Sequence, residues 1–252
     1  HQGKTPPCAQ LIIDNQIPHV VIACLDPYPA VSGRGIKMLQ DAGIKVDVGI
    51  LEREAWELNK EFFTIQTKGR PYIYLKWAQT QDGFIDKARD EKDIPQPTPI
   101  SNEFSKMLVH KKRAVVPAIM IGTNTAIKDN PSLTTRHWYG KNPVRVILDR
   151  QGRIPLDYTI FDGKVETIVF TEKESFPKLE KVTFIQIPFD ENLLENIFTT
   201  LKKRKIISVL VEGGQELLSN AQKDIDGIIY QLTVIYPTAS HLELISALAK
   251  LD

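Results

Sequence analysis

The sequence predicts an α/β protein built in two consecutive parts. Three observations carry that expectation. Helical and strand-like periodicities alternate along the 252 residues. The strands of the second part are short and Val/Ile-rich, as in a sheet covered on both faces. Between the parts, the polar segment TKGRP at 67–71 interrupts the pattern with Gly and Pro, which places a boundary there.

Taken in order, residues 9–17 carry apolar positions at helical spacing and lead into a β-rich stretch, 19–25, closed by the proline turn DPYP at 26–29. A second helix is expected over 31–42, with Gly43 as its stop, followed by a strand over 44–50. Residues 51–65 read as one helix. The second part opens with a strand at 72–78. The charged run 86–93 and the proline-spaced IPQPTPI read as a solvated loop. A helix over 102–113 follows, then strands AIMIG (118–122), VRVILD (144–149), ETIVFT (166–171) and VTFIQI (182–187). Asp190 is the expected N-cap of a helix over 191–204, which runs into the strand ISVLV (207–211) and the turn EGG at 212–214.

Lys+Arg 32 against Asp+Glu 31 gives a net charge of +1, so no bulk field favours nucleic acid, a membrane or an acidic partner. Hydrophobic residues at 42% and charged residues at 25% are those of an ordinary globular protein and exclude disorder or collagen-like repeats. Two cysteines, Cys8 and Cys24, cannot staple a chain of this length, and a reducing cytoplasm is expected. No apolar run reaches the roughly 18 residues of a membrane span. The N-terminus has no secretory layout, and its first residue, His, points to a chain cut at its beginning.

Chemistry concentrates in four places. In HQGKTPPC, Cys8 precedes a helix whose aligned amides favour a thiolate, so it is either a metal ligand or an inert thiol. Cys24, inside an apolar strand, reads as core. KWAQTQDG (76–83) is a strand running into a loop with an unusual strand lysine, Lys76. In IGTNTAIKDNPSLTTR (121–136), the strand ends at Gly122, and Thr123, Asn124 and Thr125 offer amides and hydroxyls suited to phosphate oxygens, or else simply turn the chain. VEGG (211–214) lets a pyrophosphate approach the backbone closely, although G-x-G-x-x-G is absent and a Rossmann fingerprint is not supported.

HQGKTPPC, DPYP, GRGIKMLQDAGI and LNKEFF resemble the C-terminal half of the deaminase domain of the bifunctional riboflavin-biosynthesis deaminase/reductases. RPYIYLKWAQTQDGFID, VHKKRA, IMIGTNTAIKDNPSLTTR, NPVRVILDR and VEGG resemble the reductase domain of the same family, and the resemblance covers about residues 1 to 237. It implies a partial cytidine-deaminase-like domain over 1–66, followed over 71–252 by a dihydrofolate-reductase-like domain. It also implies NADPH-dependent reduction of the ribosyl group of a phosphoribosylamino-pyrimidine to ribityl, coupled in a longer protein to zinc-dependent deamination. A cytoplasmic homo-oligomer acting on a small phosphorylated pyrimidine, without nucleic acid or membrane, is the corresponding expectation.

By the same resemblance Cys8 is a zinc ligand, while His1 and Lys4 contact the deaminase substrate. In the reductase, Arg113, Leu133, Arg136 and Glu212 match substrate-binding positions. Gln79, Thr125, Asp129, Arg150 and Gly214 onward to Asn220 match cofactor positions, with Arg150 placed to meet the 2′-phosphate of NADPH. Lys76 and Asp129 match positions for proton delivery or orientation, in an order the sequence leaves open.

The chain departs from the family in several places. The His-Ala-Glu motif and first zinc cysteine belong upstream of His1, so zinc is expected only with those residues, and this chain's deaminase half is expected to be inactive. Tyr28 replaces the usual Asn of the Asp-Pro-Asn-Pro turn. Pro99, Ile100 and Ser101 stand where the family has Trp-Ile-Thr, so an aromatic contact to the cofactor is lost or replaced. The Gly-rich Ala-Pro stretch after the last strand is replaced by SHLELISALAKLD. Two other classes compete with the enzyme reading. A nucleic-acid deaminase is disfavoured by the charge balance. A catalytically incomplete remnant acting as a structural or interaction partner would be distinguished by whether the chain binds cofactor.

Overall fold

Two parallel strands and their flanking helices make a first unit, His1–Arg70, and a seven-stranded sheet makes a second, Pro71–Asp252. The structure is a computed structural model and describes residues 7–28, 33–79, 86, 94–213 and 229–233.

The first unit contains helix α1 (Cys8–Asp14), strand β1 (His19–Ile22), α2 (Arg34–Asp41), β2 (Lys45–Val48), α3 (Glu52–Leu58) and α4 (Lys60–Thr67). β1 and β2 pair in parallel from His19↔Lys45 to Ile22↔Val48. Gly43 stops α2 as expected. With φ +78 it allows the Gly43 amide to reach Gln40 O (2.9 Å) and the Ile44 amide to reach Leu39 O (3.0 Å), a Schellman end.

Two expectations need correction in this unit. The single helix expected over 51–65 is two, because Asn59 leaves helical geometry (φ −117, ψ 21). Its side-chain amide donates to Ala55 O at 3.0 Å and closes α3, while its own carbonyl accepts from the Phe63 amide and opens α4. Cys24 is not strand core: β1 ends at Ile22, and Cys24 lies half-buried in the following bend.

The second unit runs β3 (Tyr72–Gln79), α5 (Glu103–Val115), β4 (Ala118–Gly122), α6 (Thr123–Asp129), β5 (Val144–Leu148), a 3-10 turn (Thr159–Phe161), β6 (Thr167–Thr171), β7 (Val182–Gln186), α7 (Leu193–Lys203), β8 (Ser208–Glu212) and β9 (Ile229–Thr233). The sheet order is β7-β6-β5-β4-β8-β3-β9, and every pair is parallel. This is a mixed α/β architecture around a parallel sheet, with β9 an addition to the strands expected from the sequence.

Strand side chains alternate between faces. On one face Ile73, Leu75, Met120, Val146, Ile168, Val209 and Val211 pack against Ile197, Phe198 and Leu201 of α7. On the other, Tyr72, Tyr74, Ile119, Ile121, Ile147, Val169 and Leu210 pack with Ala126 of α6, Leu133, and Ile160 and Phe161 of the 3-10 turn. Continuous apolar strands such as β4 and β6 are what a doubly covered sheet requires.

Local signals place the helices. Asn102 caps α5 by accepting from the Ser105 amide (2.8 Å), with Glu103 in the first turn and Lys112 and Arg113 in the last, complementing the helix dipole. α7 begins two residues later than expected. Asn192 occupies the N-cap position, and Asp190 instead accepts from the Asn192 amide (2.9 Å), turning the chain ahead of the helix. The turn weighed for 123–125 is the first turn of α6, which starts directly after Gly122.

Candidate active site

Lys76 in the middle of β3 lies directly opposite Glu212, the last residue of β8, in register across the parallel ladder. Alternation puts both side chains on the face of Tyr74 and Leu210, but past those apolar residues, at the carboxyl end of β8. That is where open parallel sheets bind ligands.

The last turn of α5 supplies Arg113 to the same point. Its Nε donates to Glu212 Oε1 at 3.1 Å and its Nη2 to Oε2 at 2.7 Å, a fork-on-fork pair, and its Nη1 donates to Thr134 O at 3.3 Å. Lys76 Nζ lies 3.8 Å from Glu212 Oε2. Glu212 is only 7% exposed. Burial pushes its carboxyl upward, but the charges of Arg113 and Lys76 and the hydrogen bonds from Arg113 outweigh it, with His110 adding to them, and hold the pKa at about 2.

These groups open into a cavity of about 970 Å³. Its cationic side chains are Lys76, Lys106, Arg113, Lys128, Arg136 and Arg153, against the carboxylates of Asp86, Asp129 and Glu212, so the lining favours an anionic ligand. Arg136 donates from Nη1 to Thr134 Oγ1 at 3.1 Å, and burial together with the neighbouring Arg113 charge lowers its pKa. Two guanidinium groups sharing one wall suit a phosphate anion.

The other wall is the β4–α6 junction, Gly122 to Thr125, faced by Gly213. Gly213 has φ +142, and a Cβ there would meet the Thr125 hydroxyl oxygen at 2.9 Å, so glycine suits this position both by its backbone and by the room it leaves for the Thr125 side chain. Asp149, at the end of β5, accepts from the amides of Arg153 and Ile154 (3.0 Å each) and fixes the turn that brings Arg153 to the cavity.

Of the residues expected in the reductase site, Lys76, Arg113, Thr125, Asp129, Leu133, Arg136 and Glu212 all line this one cavity. Arg150 does not. It is exposed, and its Nε donates to Glu172 Oε2 at 2.7 Å, which raises the Arg150 pKa and lowers that of Glu172. Gln79 contributes the last position of β3 by its backbone. Gly214 to Asn220, His1 and Lys4 lie outside the described residues.

Cys8 is the first residue of α1 and is exposed. Among the described residues no group of three or more His, Cys, Asp or Glu side chains gathers to hold a metal, so these residues do not make a zinc centre. Nor, among them, is any helix long and apolar enough to cross a membrane.

Sequence reasoning missed Lys106, Lys128 and Arg153. The first two are ordinary helix-surface lysines by pattern. Arg153 had a usable signal, since it follows Gly152 in the turn after VRVILD.

The chain is similar to known proteins. Residues 71–229 match the family model described as the RibD C-terminal domain. The chain is 42% identical over 229 residues to the riboflavin biosynthesis protein RibD of Aquifex aeolicus, covering 89% of this chain and 63% of that protein. It is similar in structure to a diaminohydroxyphosphoribosylaminopyrimidine deaminase/5-amino-6-(5-phosphoribosylamino)uracil reductase of Thermotoga maritima, with 38% identity and a TM-score of 0.81 over 95% of this chain and 66% of that one. Acinetobacter baumannii RibD is similar at 30% identity and a TM-score of 0.77, covering 95% of this chain and 67% of that one. The chain thus spans about three fifths to two thirds of the length of the relatives it matches. On the match over residues 71–229, which carries the paired Lys76 and Glu212 and the β4–α6 junction, this chain belongs to the RibD C-terminal domain family.

Proposed function

We propose that the second unit is the NADPH-dependent reductase of riboflavin biosynthesis, converting the ribosyl group of 5-amino-6-(5-phosphoribosylamino)uracil to ribityl. The observation that carries this reading is Glu212, held ionised at the end of β8 by Arg113 and Lys76 inside an anion-favouring cavity. Membership of the RibD C-terminal domain family and likeness to a Thermotoga maritima protein named for that reductase support it.

The Gly122–Thr125 junction and Gly213 fit a nicotinamide dinucleotide, because a glycine facing the first turn of a helix lets a pyrophosphate come close to the backbone. When bound there, NADPH would be the source of the hydride that the ring-opened, carbonyl- or imine-like sugar requires. The chain's own residues bind and orient. Glu212 accepts from ribose hydroxyls, with Arg113 fixing the direction of its lone pairs. Arg136, beside Arg113, takes the phosphate monoester. Leu133 packs against the substrate, and Gln79, Thr125, Asp129, Arg150 and Gly214 onward serve the cofactor. Lys76 and Asp129 share delivery and orientation of the proton that balances the hydride. In this reading the second unit is dihydrofolate-reductase-like. Residues 1–66 are the C-terminal part of a cytidine-deaminase-like domain, in which Cys8 joins zinc ligands supplied from upstream. The enzyme is a cytoplasmic homo-oligomer.

Incubating the chain with substrate and NADPH tests the reading. NADPH oxidation matched by ribityl product is expected, with NADH a poor substitute. Cofactor binding without turnover would favour the non-catalytic remnant, and no binding of either cofactor would overturn the assignment.

A further inference from the structure

The segment 132–136 contributes Ser132, Leu133 and Arg136 to the cavity wall, and three basic side chains grip its backbone at every second residue. Arg145 Nε donates to Ser132 O at 3.0 Å, Arg113 Nη1 donates to Thr134 O at 3.3 Å, and the Arg136 amide donates to His110 Nδ1 at 2.9 Å. Between the first two grips Leu133 adopts φ +52, a left-handed conformation unfavourable to a leucine, with its side chain buried in the core. Such a conformation persists where the surroundings over-determine it.

Arg113 reaches the cavity, but neither Arg145 nor His110 lines it. Arg145 is wholly buried on β5. Its Nη1 donates to Ile160 O (3.0 Å) and Asp162 Oδ1 (2.9 Å), and its Nη2 has no partner among the described residues. Burying a cation with one nitrogen unsatisfied is a poor way to gain stability, and a hydrophobic residue fills such a space at less cost. What the buried guanidinium does achieve is a bridge between Ser132 and the 3-10 turn. His110 is 5% exposed and accepts through Nδ1, which places its proton on Nε2. Burial, aided by the nearby charges of Arg113 and Arg136, lowers its pKa to about 4, so the ring keeps that acceptor lone pair.

We propose that His110 and Arg145 are positioning residues that fix residues 132–136 so that Arg136 meets the phosphate end of the substrate. This rests on the reductase reading of the cavity.

Replacing His110 separates positioning from folding. In His110→Asn the amide oxygen can stand in for Nδ1, whereas His110→Leu keeps bulk and removes the acceptor. In the full chain, His110→Leu is expected to raise the substrate KM about tenfold, with kcat and the NADPH Kd nearly unchanged, and His110→Asn to return KM to within about threefold of the parent. Arg145→Met, which fills the space without charge, is expected to raise KM in the same way while keeping the melting temperature. Calorimetric titration of ribose 5-phosphate into parent and variants gives the same comparison without catalysis, so failure of the reductase reading alone would still leave this test decisive. An unchanged KM and ribose 5-phosphate affinity in both His110→Leu and Arg145→Met, or an equal loss of NADPH binding, would overturn the proposal. So would failure of His110→Asn to restore what His110→Leu loses.

Discussion

Arg113 and Glu212 lie 99 positions apart in sequence and meet as a bidentate ion pair with contacts of 3.1 and 2.7 Å. The pair joins the end of α5 to the end of β8, and Arg113 spends most of its donors inside the protein. A guanidinium so engaged chiefly orients a carboxylate, which leaves Arg136 as the freer cation for phosphate.

The two residues should therefore act as a unit. Glu212→Gln alone leaves Arg113 without its ionic partner, and Arg113→Ala leaves a buried carboxylate with Lys76 only; each should raise the substrate KM by about tenfold or more. Their double mutant should cost clearly less than the sum of the two. Strict additivity in steady-state kinetics, with melting curves to verify folding, would show that the pair is not coupled.

Glu212 also sets an acid limit to stability. Its folded pKa of about 2 lies below the ordinary 4.5. The stabilisation is therefore complete above about pH 4.5 and is lost as pH falls towards 2, to a total on the order of 3 kcal/mol. Thermal melts of the parent should fall through that window, and those of Glu212→Gln should fall less. Equal acid sensitivity in both proteins would assign the loss to other carboxylates.

Gly213→Ala should damage the cofactor cradle. The new methyl would meet Thr125 Oγ1 at 2.9 Å on a backbone with φ +142, so either Thr125 or β8 must move. NADPH binding, read by fluorescence titration, should weaken about tenfold. Unaltered NADPH affinity in Gly213→Ala would place the dinucleotide elsewhere.

Cofactor choice tests Arg150 against Arg153. Arg150 is tied to Glu172 by an exposed, salt-screened pair, whereas Arg153 lines the cavity. If Arg150 reads the 2′-phosphate, Glu172→Gln frees it and should improve NADPH binding over NADH, while Arg150→Ala should erase the preference. Loss of preference in Arg153→Ala, with Arg150→Ala unaffected, would transfer the role to Arg153. Parallel NADPH and NADH titrations at low and high salt make the comparison.

Elements that depend on local physics were legible in the amino-acid sequence. Gly43 ended a helix because it alone adopts φ +78 without strain, Asn102 started one because its side chain satisfies a free amide, and β4 was legible because a doubly covered strand is apolar throughout. Local rules failed where two continuations compete. Asn59 split an apparent helix by bonding back to Ala55, and residues 123–125 continued as α6 instead of turning. Resemblance of motifs named in advance seven residues that line one cavity, but not their partners. Only the tertiary structure decided that Lys76 faces Glu212, that Arg113 binds that carboxylate, that Arg150 pairs with Glu172 and that a buried Arg145 holds Ser132. The reason is physical: the sheet order β4-β8-β3 puts chain-distant strand ends side by side, and the protonation and hydrogen bonding of a buried charge follow from the neighbours that order supplies.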